Sequence, residues 1–184
     1  MTRQQWIEQT AERCRNEWFK EHEAREFKGH NVAWLNPRRS TYACFFILHE
    51  NYLTVVGDIG EAVYAWSNPL TTTWLAGLEF DYFHGKCVAS EVGRKFTMFV
   101  PQVAYATTLQ AIKPARDVIK GLGPNSSKED YDYAARKLFD KTGDAELASA
   151  LASCGEVPHV RCIGHWVGIK MAHEALTRKE VVAA

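Results

Sequence analysis

Two short runs of alternating apolar and polar residues stand in the centre of the chain. They cover residues 52–56 and 61–66, with β-branched and aromatic residues at every second position, which is typical of half-buried strands. The connection between them is Gly57-Asp58-Ile59-Gly60, and its two glycines supply the positive φ angles that a tight turn needs. The pattern predicts a β-hairpin over residues 52–66.

Two further apolar runs precede this hairpin. Residues 31–35 read as a first strand, and residues 42–48 are apolar at every position, which predicts a central strand covered on both faces. Residues 96–100 read as a fifth short strand. Because the first four strands are joined by short polar turns, the sequence predicts an antiparallel meander of four or five strands with helices packed against it.

Helical periodicity predicts the elements around this sheet. Thr2 and Gln5 match a capping box, and the amphipathic spacing that follows predicts a helix over residues 3–27. Thr71 or Thr72 caps a short helix, and shorter apolar patterns predict helices at 81–91, with Asp81 as its N-cap, and at 103–112.

A linker at residues 121–125, rich in glycine and proline, separates the first part of the chain from a purely helical section. Ser126 with Glu129 matches a capping box, Gly143 is a stop and Asp144 a cap. The predicted helices are 126–143, 145–153 and 158–178. The expected fold class is α+β, with residues 1–120 as the α+β domain and residues 126–184 as a helical section.

Composition favours a neutral, folded protein. Basic and acidic residues number 22 each, so the field of the whole chain gives no reason to expect nucleic acid or an anionic membrane as partner. A local exception would use the compact basic pairs Arg38-Arg39 and Arg94-Lys95. The N-terminus shows no apolar segment of a secretory signal, and the five cysteines are odd in number, so we expect a cytoplasmic protein with reduced thiols.

The densest group of metal-ligand residue types is Cys154, His159, Cys162 and His165. Thiolates and imidazoles suit zinc, and Cys162 and His165 can share a helix face. Structural zinc sites usually pair ligands in two separate knuckles, however, and a single run does not match that order. The favoured interpretation is buried thiols with surface histidines, so we expect no cofactor, with zinc as the alternative.

His84 and Cys87, three residues apart in the predicted helix 81–91, can be read as a base and a thiol nucleophile. No third residue that orients the base is identifiable from the sequence. The competing interpretation is that Cys87 is a small core residue.

The hairpin tip and the tryptophans that follow it suggest a partner-binding surface. The turn at Asp58 and Ile59 is expected to be exposed, and Trp66 and Trp74 flank the next connection, so the four residues can form one rim. The alternative places Ile59 against the sheet and both tryptophans in the core.

Residues 57–66 and 81–91 resemble a stretch shared by small phage and prophage proteins. The resemblance implies an accessory protein that binds a host protein or complex, including components of defence systems, in the cytoplasm of a bacterium. We therefore expect binding without catalysis, with a partner and an oligomeric state that the sequence leaves open. The alternative is a metal- or thiol-dependent enzyme that acts on a nucleotide or another small molecule.

Overall fold

The computed structural model describes residues 1–27, 31–93, 96–111, 118 and 120–183. Its helices are α1 (Arg3–Arg13), α2 (Thr72–Ala76), α3 (Phe80–His84), α4 (Pro101–Ala111), α5 (Lys128–Thr142), α6 (Ala145–Ser153) and α7 (Val160–Ala183). Its strands are β1 (Glu23–Phe27), β2 (Asn31–Asn36), β3 (Arg39–His49), β4 (Tyr52–Gly57), β5 (Ala62–Ala65), β6 (Cys87–Ser90), β7 (Thr97–Phe99) and β8 (Glu156–Pro158).

The chain divides into two compact units. The sheet unit contains residues 8–96 and 158–184, and the helical unit contains residues 1–7 and 97–157. The sequence predicted a division at the linker 121–125. This linker instead lies inside the helical unit, which consists mainly of residues from the middle of the chain.

The sheet unit contains a six-stranded antiparallel sheet in the order β1-β2-β3-β4-β5-β6. The predicted α+β class and antiparallel meander are confirmed, and the four strands predicted between residues 31 and 66 are β2 to β5. The strand number is six instead of four or five. Both additional strands lie in segments that were predicted to be helical.

The predicted helix 3–27 is wrong beyond residue 18. Thr2 and Gln5 form the expected capping box, with bonds of 2.8 and 3.2 Å, but after Arg13 the helix widens into a π-helical turn, Cys14–Trp18. The N–H of Phe19 donates to the Cys14 carbonyl at 2.9 Å, and Glu21 has a positive φ of 65°. This backbone reversal ends the helix, and β1 then pairs with β2.

The predicted helix 81–91 is wrong beyond residue 84. α3 begins at Phe80 and ends at His84, and its N-cap is Glu79 instead of Asp81. The chain then becomes extended because the Lys86 carbonyl accepts a bond from the N–H of Ala65 at 3.0 Å. This bond starts the pairing of β6 with β5.

One face of the sheet is buried and the other is half-buried. On β3, Cys44 and Phe46 are fully buried, whereas Phe45 and Ile47 on the opposite face remain partly exposed. The prediction that this strand is covered on both faces is therefore wrong for its second face. The buried face lies against α7, where a Cβ atom built on Gly168 would come within 3.0 Å of Phe46.

α7 is the central helix of the sheet unit. Its apolar positions are buried on nearly all sides, and Cys162, Ile163, Val167, Ile169 and Ala172 have no exposed surface. Gly164 allows the Trp18 ring to approach this helix closely, since a Cβ atom built on Gly164 would lie 2.9 Å from that ring. The helix begins at Val160 instead of at Pro158, which belongs to β8.

The helical unit contains α4, α5 and α6 with the two-stranded sheet of β7 and β8. Ser127 and Asp130 form the capping box of α5, one residue beyond the predicted pair, and Gly143 ends this helix with φ of 70°. Asp144 caps α6 as predicted. The predicted fifth strand is β7, which lies outside the main sheet. The predicted helix 103–112 is α4, and its last residue lies outside the described residues.

No helix in the described ranges combines the length and the apolar character that a bilayer span requires.

Candidate functional site

The hairpin tip, residues 57–60, lies against the rest of the sheet unit. The N–H of Asp58 donates to the Ala43 carbonyl at 2.9 Å, and the Asp58 carboxylate accepts from the N–H of Ala43 at 3.1 Å. The side chain of Ile59 is 2% exposed, so its expected exposure is wrong. Asp58 is exposed, whereas Ile59 is buried because Gly164 leaves room for its side chain: a Cβ atom built on Gly164 would meet Ile59 Cδ1 at 3.3 Å.

A buried chain of hydrogen bonds connects this tip to α7. His165 Nε2 lies 3.2 Å from the Ile59 carbonyl, and its Nδ1 lies 2.9 Å from the Tyr64 hydroxyl. Because a carbonyl can only accept, the Nε2–H donates to Ile59, and Nδ1 accepts from Tyr64. The Tyr64 oxygen is also 3.5 Å from the sulfur of Cys162. Because the single hydroxyl proton of Tyr64 is already donated to His165 Nδ1, the Cys162 thiol can act as the donor in this second contact.

These buried groups are held in their neutral forms. Burial lowers the pKa of His165 from 6.5 to about 3, and burial raises the pKa values of Tyr64 and Cys162. A thiol with a raised pKa is protonated at neutral pH and is a weak nucleophile. The arrangement is that of a satisfied polar network in a core.

The four predicted metal ligands have separate environments. Cys154 contacts the hydroxyl of Thr108 at 3.4 Å, and the ring of His159 stacks on Phe96 with 5.5 Å between centroids. Cys162 and His165 both lie beside the Tyr64 hydroxyl, at 3.5 and 2.9 Å. In the described ranges, no group of three or more His, Cys, Asp or Glu side chains is placed to hold a metal ion.

His84 and Cys87 do not share a helix. His84 is the last residue of α3, where its ring stacks on Phe80, and Cys87 is the first residue of β6. The Cys87 thiol donates to the Ala89 carbonyl at 3.4 Å. Burial raises the pKa of Cys87 to about 11, which does not favour a thiolate nucleophile.

The two tryptophans of the predicted rim differ in exposure. Trp66 is 5% exposed, whereas Trp74 is 39% exposed and contacts the edge of Trp66 at a centroid distance of 5.7 Å. Tyr82, which the sequence did not single out as a site residue, is 48% exposed and packs on Trp74 with 6.4 Å between ring centroids. We call Trp74 and Tyr82 the exposed aromatic pair.

Lys86 extends this surface. Its ammonium group lies 4.8 Å from the centroid of the Tyr82 ring, within the range of a cation–π contact. Thr71 caps α2 and thereby fixes Trp74, because its hydroxyl accepts from the N–H of Trp74 at 3.1 Å. Each ring of the pair thus has a second contact within the sheet unit, Trp74 with Trp66 and Tyr82 with Lys86.

A small polar cavity of about 120 Å³ lies elsewhere in the sheet unit, where the π-helical turn, the segment before β1 and the β2–β3 hairpin meet. We call it the polar cavity. Its lining residues are Glu17, Trp18, Lys20, Glu21, His22, Asn36, Arg39, Thr41 and Tyr42. Sequence reasoning missed it because these residues come from segments whose meeting depends on β1, which was predicted as helix.

The backbone around the polar cavity is strained. Glu21 and Tyr42 have φ angles of 65° and 63°, a left-handed conformation that costs about 1–2 kcal/mol for a residue with a side chain. His22 Nε2 lies 3.2 Å from the Tyr42 carbonyl and fixes that residue. The Tyr42 ring in turn stacks on Trp18, with 5.2 Å between centroids and 5° between planes.

The basic pairs of the nucleic-acid alternative are only partly described. Arg38 and Arg39 are exposed at the β2–β3 turn, while Arg94 and Lys95 lie outside the described residues.

Comparison with known proteins leaves the family open. The sequence matches no protein-family model, and searches of curated proteins and of solved structures found no significant match.

Proposed function

We propose that this chain is a phage or prophage accessory protein that acts by binding a host protein, including a component of a defence system, and not by catalysis. The resemblance of residues 57–66 and 81–91 to phage proteins supports the biological setting. Within the sheet unit, the exposed aromatic pair supports the binding mode.

The observation that carries the proposal is that Trp74 and Tyr82 are exposed while their rings are held by contacts with neighbouring side chains. Tryptophan and tyrosine dominate the binding energy of protein interfaces because they bury a large area at a low cost in side-chain entropy. Here Trp66 supports one ring and Lys86 the other, so little additional ordering is needed on binding. The binding surface predicted from the sequence is thereby shifted from Ile59 and Trp66, which are buried, to Trp74 and its neighbour.

The enzyme alternative finds less support. Burial raises the pKa of Cys87, Cys154 and Cys162, so these thiols are protonated at neutral pH.

The test is affinity capture from a bacterial lysate followed by titration with the purified partner. Trp74→Ala and Tyr82→Ala should each weaken the purified complex by about 2 kcal/mol or more, roughly a thirtyfold rise in Kd, while the melting temperature stays nearly unchanged.

The matched control is Tyr133→Ala on α5. Tyr133 is 60% exposed and has a lysine, Lys137, 4.6 Å from its ring, so it matches Tyr82 in exposure and in its lysine contact. This variant should bind like the wild type. Equal affinity of the Trp74, Tyr82 and Tyr133 variants would show that the exposed aromatic pair is not the binding surface.

A further inference from the structure

The polar cavity combines several features of a binding site. A π-helical turn and two left-handed residues border it, and both kinds of irregularity are concentrated at functional sites. Trp18 and Tyr42 form one rigid aromatic wall. Tyr42 lies at the surface of the protein, since it is 38% exposed.

The charged side chains that line the polar cavity are equal in number of each sign and are free to bind a ligand. Lys20 and Arg39 contribute two cations, and Glu17 and Glu21 contribute two carboxylates. Within the described part of the chain, these four side chains form no hydrogen bond or ion pair. Asn36 and His22 are already occupied, because Asn36 Nδ2 donates to the Lys20 carbonyl at 3.1 Å and His22 bonds to Tyr42.

We propose that the polar cavity binds a small zwitterion of the α-amino acid class. The Arg39 guanidinium suits a carboxylate, which it can hold through two parallel hydrogen bonds. The carboxylates of Glu17 and Glu21 suit the ammonium group. The face of Tyr42 that is turned away from Trp18 can add a cation–π contact, whereas the Trp18 ring already stacks on Tyr42 and has the Arg13 guanidinium 5.8 Å from its centroid.

The size of the cavity limits the ligand. Its volume of about 120 Å³ is about four times the ~30 Å³ of one water molecule in the liquid. This space fits the smallest amino acids and is too small for a whole nucleotide.

The test is titration of the full chain with single amino acids, starting with glycine, alanine and serine, followed by the indole N–H signal of Trp18 in NMR spectra. We expect saturable shifts of this signal with at least one amino acid. The N-acetylated form, which lacks the ammonium group, and the amide form, which lacks the carboxylate, should each bind at least tenfold more weakly.

Two pairs of variants test which charged side chains bind the ligand. Arg39→Gln and Glu21→Gln should each weaken binding at least tenfold, whereas Arg38→Gln and Glu12→Gln, exposed neighbours that do not line the cavity, should leave it unchanged. Absence of saturable binding by all amino acids, equal binding of the analogues, or unchanged affinity in the lining variants would each overturn the proposal. Because neither Trp74 nor Tyr82 lines the polar cavity, failure here leaves the protein-binding proposal standing.

Discussion

His165 shows how one residue couples a loop to a helix. It lies on α7, has no exposed surface, and uses both ring nitrogens to hold Ile59 and Tyr64. From the sequence, this histidine was grouped with metal ligands because its neighbours in the chain include cysteines. Its actual partners are about a hundred residues away, so local spacing carried no information about them.

The first prediction concerns the Tyr64 hydroxyl. Tyr64→Phe should lower the free energy of unfolding by about 1–3 kcal/mol, because it leaves the buried Nδ1 of His165 without a donor. Urea denaturation measures this loss. Tyr82→Phe, which removes an exposed hydroxyl, should change stability little, and equal losses for the two variants would contradict the hydrogen-bond chain.

The second prediction is the pH dependence caused by His165. Its pKa is about 3 in the folded protein and 6.5 when unfolded, so between these values only the unfolded state binds the proton. The stability contribution is therefore complete above pH 6.5 and is lost as the pH falls towards 3. From pH 7 to pH 5 the loss is about 2 kcal/mol.

His165→Gln provides the comparison for this slope. Burial also lowers the pKa values of His22 and His159, and these two histidines contribute equally to the pH dependence of the wild type and of the variant. The wild type should therefore lose about 2 kcal/mol more than the variant between pH 7 and pH 5 in urea titrations. Parallel pH profiles would show that His165 is accessible to protons in the folded state.

At the scale of elements, the sequence predicted well those features that are encoded locally. The caps at Thr71 and Asp144 and the stop at Gly143 were predicted correctly because each uses only a few neighbouring residues. The four strands between residues 31 and 66 were predicted because their alternation is strong. Such patterns need no knowledge of the tertiary fold.

The two missed strands are the edges of the sheet. β1 and β6 are five and four residues long, and each has a partner on one side only. Segments this short fit a helical period as well as an extended one, and pairing with β2 and β5 decides between them. The polar cavity was missed for the same reason, since β1 brings its walls together.

The third prediction tests the turn that fixes the β4–β5 hairpin. Gly57 has φ of 137°, and a Cβ atom there would lie 2.1 Å from the Ala43 carbonyl oxygen. Gly57→Ala should therefore cost more than about 2 kcal/mol, because both the conformation and the backbone contact oppose a side chain.

Gly93→Ala is the matched control for this substitution. Gly93 has φ of 109°, but nothing lies within 4 Å of a Cβ atom built there. This variant should lose only the conformational part, about 1 kcal/mol. Equal losses of unfolding free energy for Gly57→Ala and Gly93→Ala would mean that the close approach of Gly57 to β3 does not contribute to the cost of the substitution.

At the scale of the whole molecule, all five cysteines are free and they differ in access. Cys14, Cys44 and Cys162 have no exposed surface, and burial raises the pKa of Cys14 to about 12, whereas Cys154 is partly exposed.

The fourth prediction is that Cys154 reacts first when the folded protein is treated with N-ethylmaleimide. Peptide mass spectrometry measures the order, and a Cys154→Ser variant should lose the fast phase. Fast labelling of Cys162 would contradict the burial of the polar network.

The order of the chain through the two units indicates that residues 97–157, the larger part of the helical unit, are an insertion into the sheet unit. The chain leaves the sheet unit after Phe96 and returns at Pro158. These ends are adjacent, because the N–H of His159 donates to the Phe96 carbonyl at 2.9 Å and the two rings stack. Domain insertions occur where the ends of the host are close together.

The fifth prediction is that the sheet unit folds without the insertion. A chain in which a short Gly/Ser linker joins residue 96 to residue 158, with residues 97–157 removed, should keep dispersed amide NMR signals and a cooperative urea transition. The short distance between the two ends keeps the entropy cost of the new loop low. The Tyr64→Phe substitution should destabilise this shortened protein by the same amount as the full chain, since all members of the hydrogen-bond chain remain. A shortened protein that is unfolded, or that is insensitive to Tyr64→Phe, would show that residues 97–157 are required for the sheet unit to form.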